Sequence, residues 1–434
     1  MKTHLLAPLF VLLLLPCGSN AANELERVRT ETLKPYAGPS NPGVDRSTLT
    51  GKIVCGYQGW FTAEGDGAEF GWFHWAKNRK GPIDAEQVKI DIWPDVSELS
   101  PSERFTTALQ HADSKPAEVF SSFRRETVLR HFEWMKEYGI DGAFMQRFPV
   151  SLRDPKFLRL SNTVLAHGRE GANLSGRSYA VMYDLTGLGA GKMSEVMDDW
   201  RLLRRQMRLT EDPAYLQHHG KPVVAVWGVG FGDKRAYTLA ECADLIRFLK
   251  NDPEVGGCTV LLGVPYYWRT LKNDAAPDPA LHEVLQLADI VSPWSVGRFN
   301  SPKAATEHGA KIWQPDIAWC QERKLDFLPV VFPGFSWRHM HGGPLDAIPR
   351  RRGEFLWSQF SAAKRAGADM LYVAMFDEVD EATAIFKCTD NPPSLPESPF
   401  LGMEGLPSDF YLRLTGAGGK MLRGELPVDA PVPK

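Results

Sequence analysis

The chain has 434 residues, 43% of them hydrophobic and 24% charged, with a formal net charge of −3. So small an imbalance argues against nucleic-acid binding, which depends on clustered basic charge, and the lack of any low-complexity tract argues against a disordered or fibrous chain. A sizeable globular body remains, with 13 tryptophans and 23 phenylalanines to furnish a core or the walls of a cleft.

Residues 1–21 read as a secretory signal: Lys2 gives a positive start, residues 5–15 an apolar core, and Ser19-Asn20-Ala21 a small-residue cleavage pattern. The core is shorter than the ~18 apolar residues of a membrane span, and no later stretch reaches that length. Cys17 would suit a lipoprotein, but Pro16 stands where a small residue is expected. A secreted or periplasmic protein without a membrane span is expected. The mature chain keeps Cys55, Cys242, Cys258, Cys320 and Cys388, an odd number with no CxxC, which suggests neither a disulfide framework nor zinc. No metal and no cofactor are expected.

After a lead-in at 22–50, eight strand candidates follow at helix-sized intervals: 53–59, 139–146, 179–184, 222–227, 259–265, 290–294, 328–332 and 371–376. Thr238-x-x-Glu241 is a capping box, and Val196, Trp200, Leu203 and Met207 recur at helical spacing. Eight strands alternating with helices predict an α/β fold, a (β/α)8 TIM barrel over 51–391. An open doubly wound sheet is the competitor, but Gly56-Tyr-Gln-Gly59 lacks the glycine spacing of its phosphate turn. Residues 62–121 form a long insertion after the first strand, rich in Gly and Trp, expected to fold over a cleft. Its Glu64–Asp66 pair lacks the repeated oxygen spacing of a calcium loop. Residues 392–434 read as a tail with one short helix near 408–414 and a strap or mobile end from Gly416.

Barrel active sites lie at the carboxyl ends of the strands. Those ends deliver Tyr57 and Trp60, Gln146 and Arg147, Asp184, Trp227, Tyr266 and Trp268, Trp294, then Trp337 and His339. All are substrate-binding candidates, because indole and phenol rings can stack on sugar faces. A core role for the rings and a rim salt bridge for Arg147 and Asp184 are the plain alternatives. The eighth strand ends in Asp377, Glu378, Asp380 and Glu381, where crowding of carboxylates raises at least one pKa as a general acid requires. Glu378 is expected to share a strand face with Tyr372, Ala374 and Phe376. A solvated acidic rim is the alternative.

Glu378-Val-Asp-Glu381-Ala-Thr-Ala-Ile385 resembles the Glu-Trp-His-Glu-Gly-Thr-x-Ile motif of glycoside hydrolase family 99, the endo-α-mannosidases and endo-α-mannanases. Gly-Tyr-Gln-Gly-Trp-Phe, Trp-Pro-Asp-Val-Ser-Glu and Tyr-Gly-Ile-Asp-Gly-x-Phe-Met-Gln-Arg-Phe resemble a bacterial branch related to families 99 and 71, across most of 50–390. The resemblance implies a retaining, metal-independent α-glycosidase acting on an oligosaccharide or polysaccharide. It makes Glu378 the base on the substrate's 2-hydroxyl and Glu381 the acid/base. Val379 and Asp380 replace the motif's Trp-His, and Phe386-Lys387 its following Glu-Pro. Two other classes stay open: a carbohydrate-binding barrel without catalysis, and another exported hydrolase such as an esterase, for which no Gly-x-Ser-x-Gly elbow is present near a strand end.

Overall fold

A computed structural model describes residues 19–395, 397 and 399–433. The expected signal segment, 1–21, falls almost wholly outside the described residues. Among the described residues, no helix is long and apolar enough to cross a membrane.

Eight parallel strands close on themselves. They are β1 (Ile53–Tyr57), β2 (Gly142–Arg147), β3 (Ser178–Asp184), β4 (Lys221–Trp227), β5 (Thr259–Pro265), β6 (Ile290–Trp294), β7 (Asp326–Phe327 and Val330–Val331) and β8 (Leu371–Val373). The register runs Val54 to Gly142, Gly142 to Ser178, Val181 to Val224, Val223 to Thr259 and Leu261 to Ile290. Closure depends on β7, whose first piece pairs with β6 through Asp326 and Ile290 and whose second pairs with β8 through Val330 and Tyr372. Pro329 divides the pieces because it has no N–H to donate. Its carbonyl still accepts from Tyr372 N at 3.1 Å, while Leu328 N donates to Val291 at 2.9 Å. β8 then returns to β1, Ile53 opposite Leu371. Strands such as Thr-Val-Leu-Leu-Gly-Val-Pro in β5 are buried along their whole length, as parallel strands sandwiched between a packed interior and helices must be.

The helical layer includes α1 (Ser19–Thr32), α2 (Arg125–Tyr138), α3 (Pro155–Ser175), α4 (Met193–Arg205), α5 (Leu239–Asn251) and α6 (Ala280–Leu285). It continues with α7 (Pro302–His308), α8 (Gln314–Glu322), α9 (Arg338–His341), α10 (Glu354–Ala366) and α11 (Phe410–Leu422). The Thr238 capping box opens α5 as expected, and Gly139, read as the start of β2, instead caps α2 in the left-handed conformation. α11 is longer than the sequence pattern suggests and is no loose strap. It packs between α10 and α2 beneath β1, with Gly416 and Gly418 where a Cβ would strike Tyr138 O and the Phe360 ring. It fills the helical position after β8.

The insertion folds as one layer with the segment that follows β8. Bridges join Ile92 to Leu401 and Pro94 to Cys388, and strands Phe105–Gln110 and Pro116–Val119 form a hairpin. Buried Asp91 accepts from Arg338 N and from both His339 N and His339 Nδ1, tying the layer to the loop after β7. Asp66 accepts from Ala63 N, Ala68 N and Ser121 Oγ, so its carboxylate organises the loop itself.

Candidate active site

Side chains alternate along a strand, so each strand end sends neighbouring residues to opposite sides. In β1, Gly56 faces the barrel interior, where a Cβ would meet Tyr372 and Met375. Tyr57 therefore points outward, packs on Phe132 and hydrogen-bonds His131 at 2.9 Å, while Gln58 turns into the cleft. In β2, Gln146 points inward and bonds the Tyr372 hydroxyl at 3.2 Å. Arg147 points to the helices, where it makes two 2.6 Å bonds to Asp199 of α4 and one of 2.8 Å to Asn162 of α3.

The cleft is a cavity of about 580 Å³. Glu378 and Glu381 both line it, beside Gln58 and Asp184, with Trp60, Trp227, Trp294 and Trp337 as aromatic walls. Of the sequence candidates, Trp60, Gln146, Asp184, Trp227, Trp294 and Trp337 thus share one chamber with the two glutamates. The others do not line it. Tyr57 and Arg147 are turned away as above; Tyr266 bonds His308 at 3.0 Å; Trp268 packs on Trp319; His339 serves Asp91. The physical reason is common to these: each lies on the outward side of its strand or beyond its end, where core and helix contacts claim the ring or charge.

Strand β8 ends at Val373, earlier than the apolar run suggests, and the chain then folds back on itself. Met375 N bonds Thr383 O and Ile385 N bonds Met375 O. Phe376 consequently stacks on Tyr57 on the outer side while Tyr372 faces the interior near Glu378, so the expected common face of Tyr372, Phe376 and Glu378 is split. The turn holds each acid differently. Asp377 accepts Gln58 N at 2.8 Å and Gly59 N at 2.9 Å, and burial, outweighing those bonds, pushes its pKa up to about 7. Glu378 accepts Gln58 Nε2 at 2.8 Å and the Thr383 hydroxyl at 3.1 Å. Burial first, then Glu381, Asp380 and Asp377, drive its pKa well above the usual range. Glu381 is raised to about 8 by burial and by Asp380, against a hydrogen bond from the Trp337 side chain. The pair therefore retains a proton at neutral pH. The two donors on Glu378 offset part of the cost of its ionisation.

Asp380, at the motif position of a histidine, is buried and meets His74 Nδ1 at 2.7 Å. His74 comes from the insertion with a φ of 63°, a left-handed conformation that costs energy for a histidine. Its ring lies on Trp60, centroids 3.7 Å apart and planes 3° apart. The insertion thus fixes the Trp60 wall and occupies one oxygen of Asp380. Four cleft residues outside the sequence candidates, Phe231, Asp233, Arg235 and Arg298, come from loops after β4 and β6, where periodicity gives no signal. Gln58 and Thr383 were legible in principle, by strand parity and from the motif's threonine.

No protein-family model matches the chain, and no curated protein matches it. Solved structures do. A GH99 endo-alpha-mannosidase from Bacteroides thetaiotaomicron superposes with a TM-score of 0.62 at 15% identity, covering 87% of this chain and 99% of that one. The same enzyme in complex with BIS-TRIS-propane gives 0.62 at 16% identity. A glycoside hydrolase-like protein gives 0.54 at 11% identity, covering 90% of this chain and 98% of that one. At these identities the likeness is one of fold: the chain has the (β/α)8 architecture of the family 99 endo-alpha-mannosidase structures, in agreement with the resemblance carried by its motifs.

Proposed function

We propose that the chain is a glycoside hydrolase acting on α-linked glycans, α-mannosides or related, by a retaining route through the substrate's own 2-hydroxyl. The observation that carries this reading is the placement of Glu378 and Glu381 in one tryptophan-walled cavity at the carboxyl end of β8. In the proposed reaction Glu378, its charge held by Gln58 and Thr383, takes the proton of the 2-hydroxyl as that oxygen closes on C1. Glu381 gives its proton to the departing glycosidic oxygen, and a 1,2-anhydro sugar results. Water then adds to C1 with Glu381 as base, while Glu378 returns its proton to O2. Burial that keeps a proton on the pair at neutral pH suits the acid step. The fold shared with GH99 structures and the motif at 378–385 support the same assignment. The segment at residues 1–21 leads us to place the protein outside the cytoplasm.

Reducing-sugar release from a panel of α-mannans, α-glucans and other glycans, with wild type, Glu378→Gln and Glu381→Gln side by side, tests the proposal. Hydrolysis should fall by roughly 10²–10⁴-fold in each variant. Three silent proteins that bind a glycan equally well would instead mark a binding barrel.

A further inference from the structure

A second chamber of about 370 Å³ adjoins the cleft and is assigned no task by the proposed reaction. Its walls are Phe73 of the insertion, Phe148 and Val150 after β2, and Phe157, Leu160 and Val164 of α3. Protein interiors close such spaces, since an apolar void forfeits dispersion contacts along its whole lining and water in it finds few partners. This one is more than twice the roughly 150 Å³ of an engineered apolar cavity that holds a benzene ring. The chamber is also joined to the chemistry. Gln58, Trp60, Gln146, Phe148 and Thr186 line both spaces, and Trp60 and Phe148, centroids 5.4 Å apart, form the partition. Gln58, which binds Glu378 at 2.8 Å, stands on the boundary.

The lining decides what class of group fits. A further sugar ring needs hydrogen-bond partners for each hydroxyl, and Ser151 and Ser161 are the few small polar side chains on the far wall. Arg147 reaches that wall with its charge matched by Asp199 and Nη1 as its one nitrogen without a partner, so it offers at most a single donor and no unmatched charge for an anion. An alkyl or acyl chain needs only apolar surface. We propose that this chamber is a subsite for an alkyl or acyl group carried by the glycan substrate itself, seated while the sugar lies in the adjoining cleft. The proposal rests on the glycan reading of that cleft. Val150, 47% exposed, lines the chamber where it opens to solvent.

Binding of methyl and n-octyl α-mannosides, the matching α-glucosides, and n-octanol to the full chain, followed by calorimetry and tryptophan fluorescence, tests this. An octyl glycoside should bind at least about tenfold more tightly than its methyl counterpart. The octyl-to-methyl ratio should collapse towards one in both Val150→Trp, at the mouth, and Ser161→Phe, within the chamber, provided each variant melts like wild type. A ratio near one in wild type, or a ratio unchanged in the correctly folded variants, overturns the proposal. Binding of n-octanol as tight as that of the octyl glycosides overturns the claim that the glycan carries the group. Failure of hydrolysis on every glycan, with the octyl preference intact, would sink the hydrolase reading and leave the subsite standing.

Discussion

The carboxylates of the cleft and Asp326, at the opposite end of the barrel, are held in opposite ways. At the carboxyl end, burial first and then the neighbouring acids Glu381, Asp380 and Asp377 work against ionisation of Glu378. At the amino end, Asp326 of β7 meets His218 at 3.0 Å and His219 at 2.6 Å, and Asp289 meets Lys250 at 2.8 Å. Burial pushes the Asp326 pKa up, but the two histidine hydrogen bonds outweigh it and hold the carboxyl below its ordinary value. Ionisation is costly for the acids of the cleft and stabilising for Asp326, while burial also raises the pKa of Asp141 and Asp369 at the amino end. Acids held against their charge are poised to exchange protons; matched acids hold strands in place.

The sharpest break in this comparison separates activity from stability. Glu378→Gln and Glu381→Gln should abolish most turnover, by roughly 10²–10⁴-fold, yet leave the urea midpoint unchanged or higher, because each removes a repelled buried carboxyl. Asp199→Ala should do the reverse. It strands the Arg147 guanidinium, 2% exposed, without its bidentate partner, at a cost of about 3–5 kcal/mol in urea denaturation. A stable Asp199→Ala protein, or a Glu381→Gln protein that unfolds several kcal/mol earlier, would reverse the roles given to the two groups.

The pH dependence of stability should carry both signs. Asp377 at about 7 and Glu381 at about 8 lie above the ~3.9 and ~4.3 of an unfolded chain. As pH rises past about 4 the unfolded chain loses these protons first, so the two groups cost stability progressively up to about pH 8. Asp326, with its folded pKa depressed, stabilises above about pH 4 and loses that contribution as pH falls through its folded value. Denaturation midpoints measured from about pH 4.5 to 8.5 should show Glu381→Gln gaining on wild type steadily towards the alkaline end. Parallel curves for the two proteins would contradict the raised pKa.

Much of this architecture was visible in the sequence. β5 and β6 fall where apolar runs place them, since a strand buried on both faces needs an unbroken run. β7 starts earlier than its apolar run, at Asp326, and is split at Pro329, while β8 is shorter than its run because the chain folds back after Val373. At the site, the ends of the strands are legible, but strand parity decides which residue enters the cleft: Gln58 rather than Tyr57, and Gln146 without Arg147, because consecutive residues face opposite sides. The pairing of His74 with Asp380 spans 306 positions, and nothing local encodes it. Loop residues Arg235 and Arg298 share that limit.

The smallest effect belongs to Asp326, and it tests what the histidines beside it are for. His218, His219 and Asp326 converge closely enough to resemble a cation site. The donors argue otherwise: Leu49 N donates to His218 Nδ1 at 3.1 Å, which leaves the proton of a neutral ring on Nε2, directed at Asp326. A metal at that nitrogen would have to displace the proton while Nδ1 remains engaged. Asp326→Asn should therefore lower stability by about 1 kcal/mol, the range of a partly exposed pair, and leave hydrolysis and the response to zinc or chelator untouched. A zinc-dependent rise in the melting temperature of wild type that vanishes in Asp326→Asn would show that the pairing seen here yields to metal, and would make this end of the barrel a second ligand site.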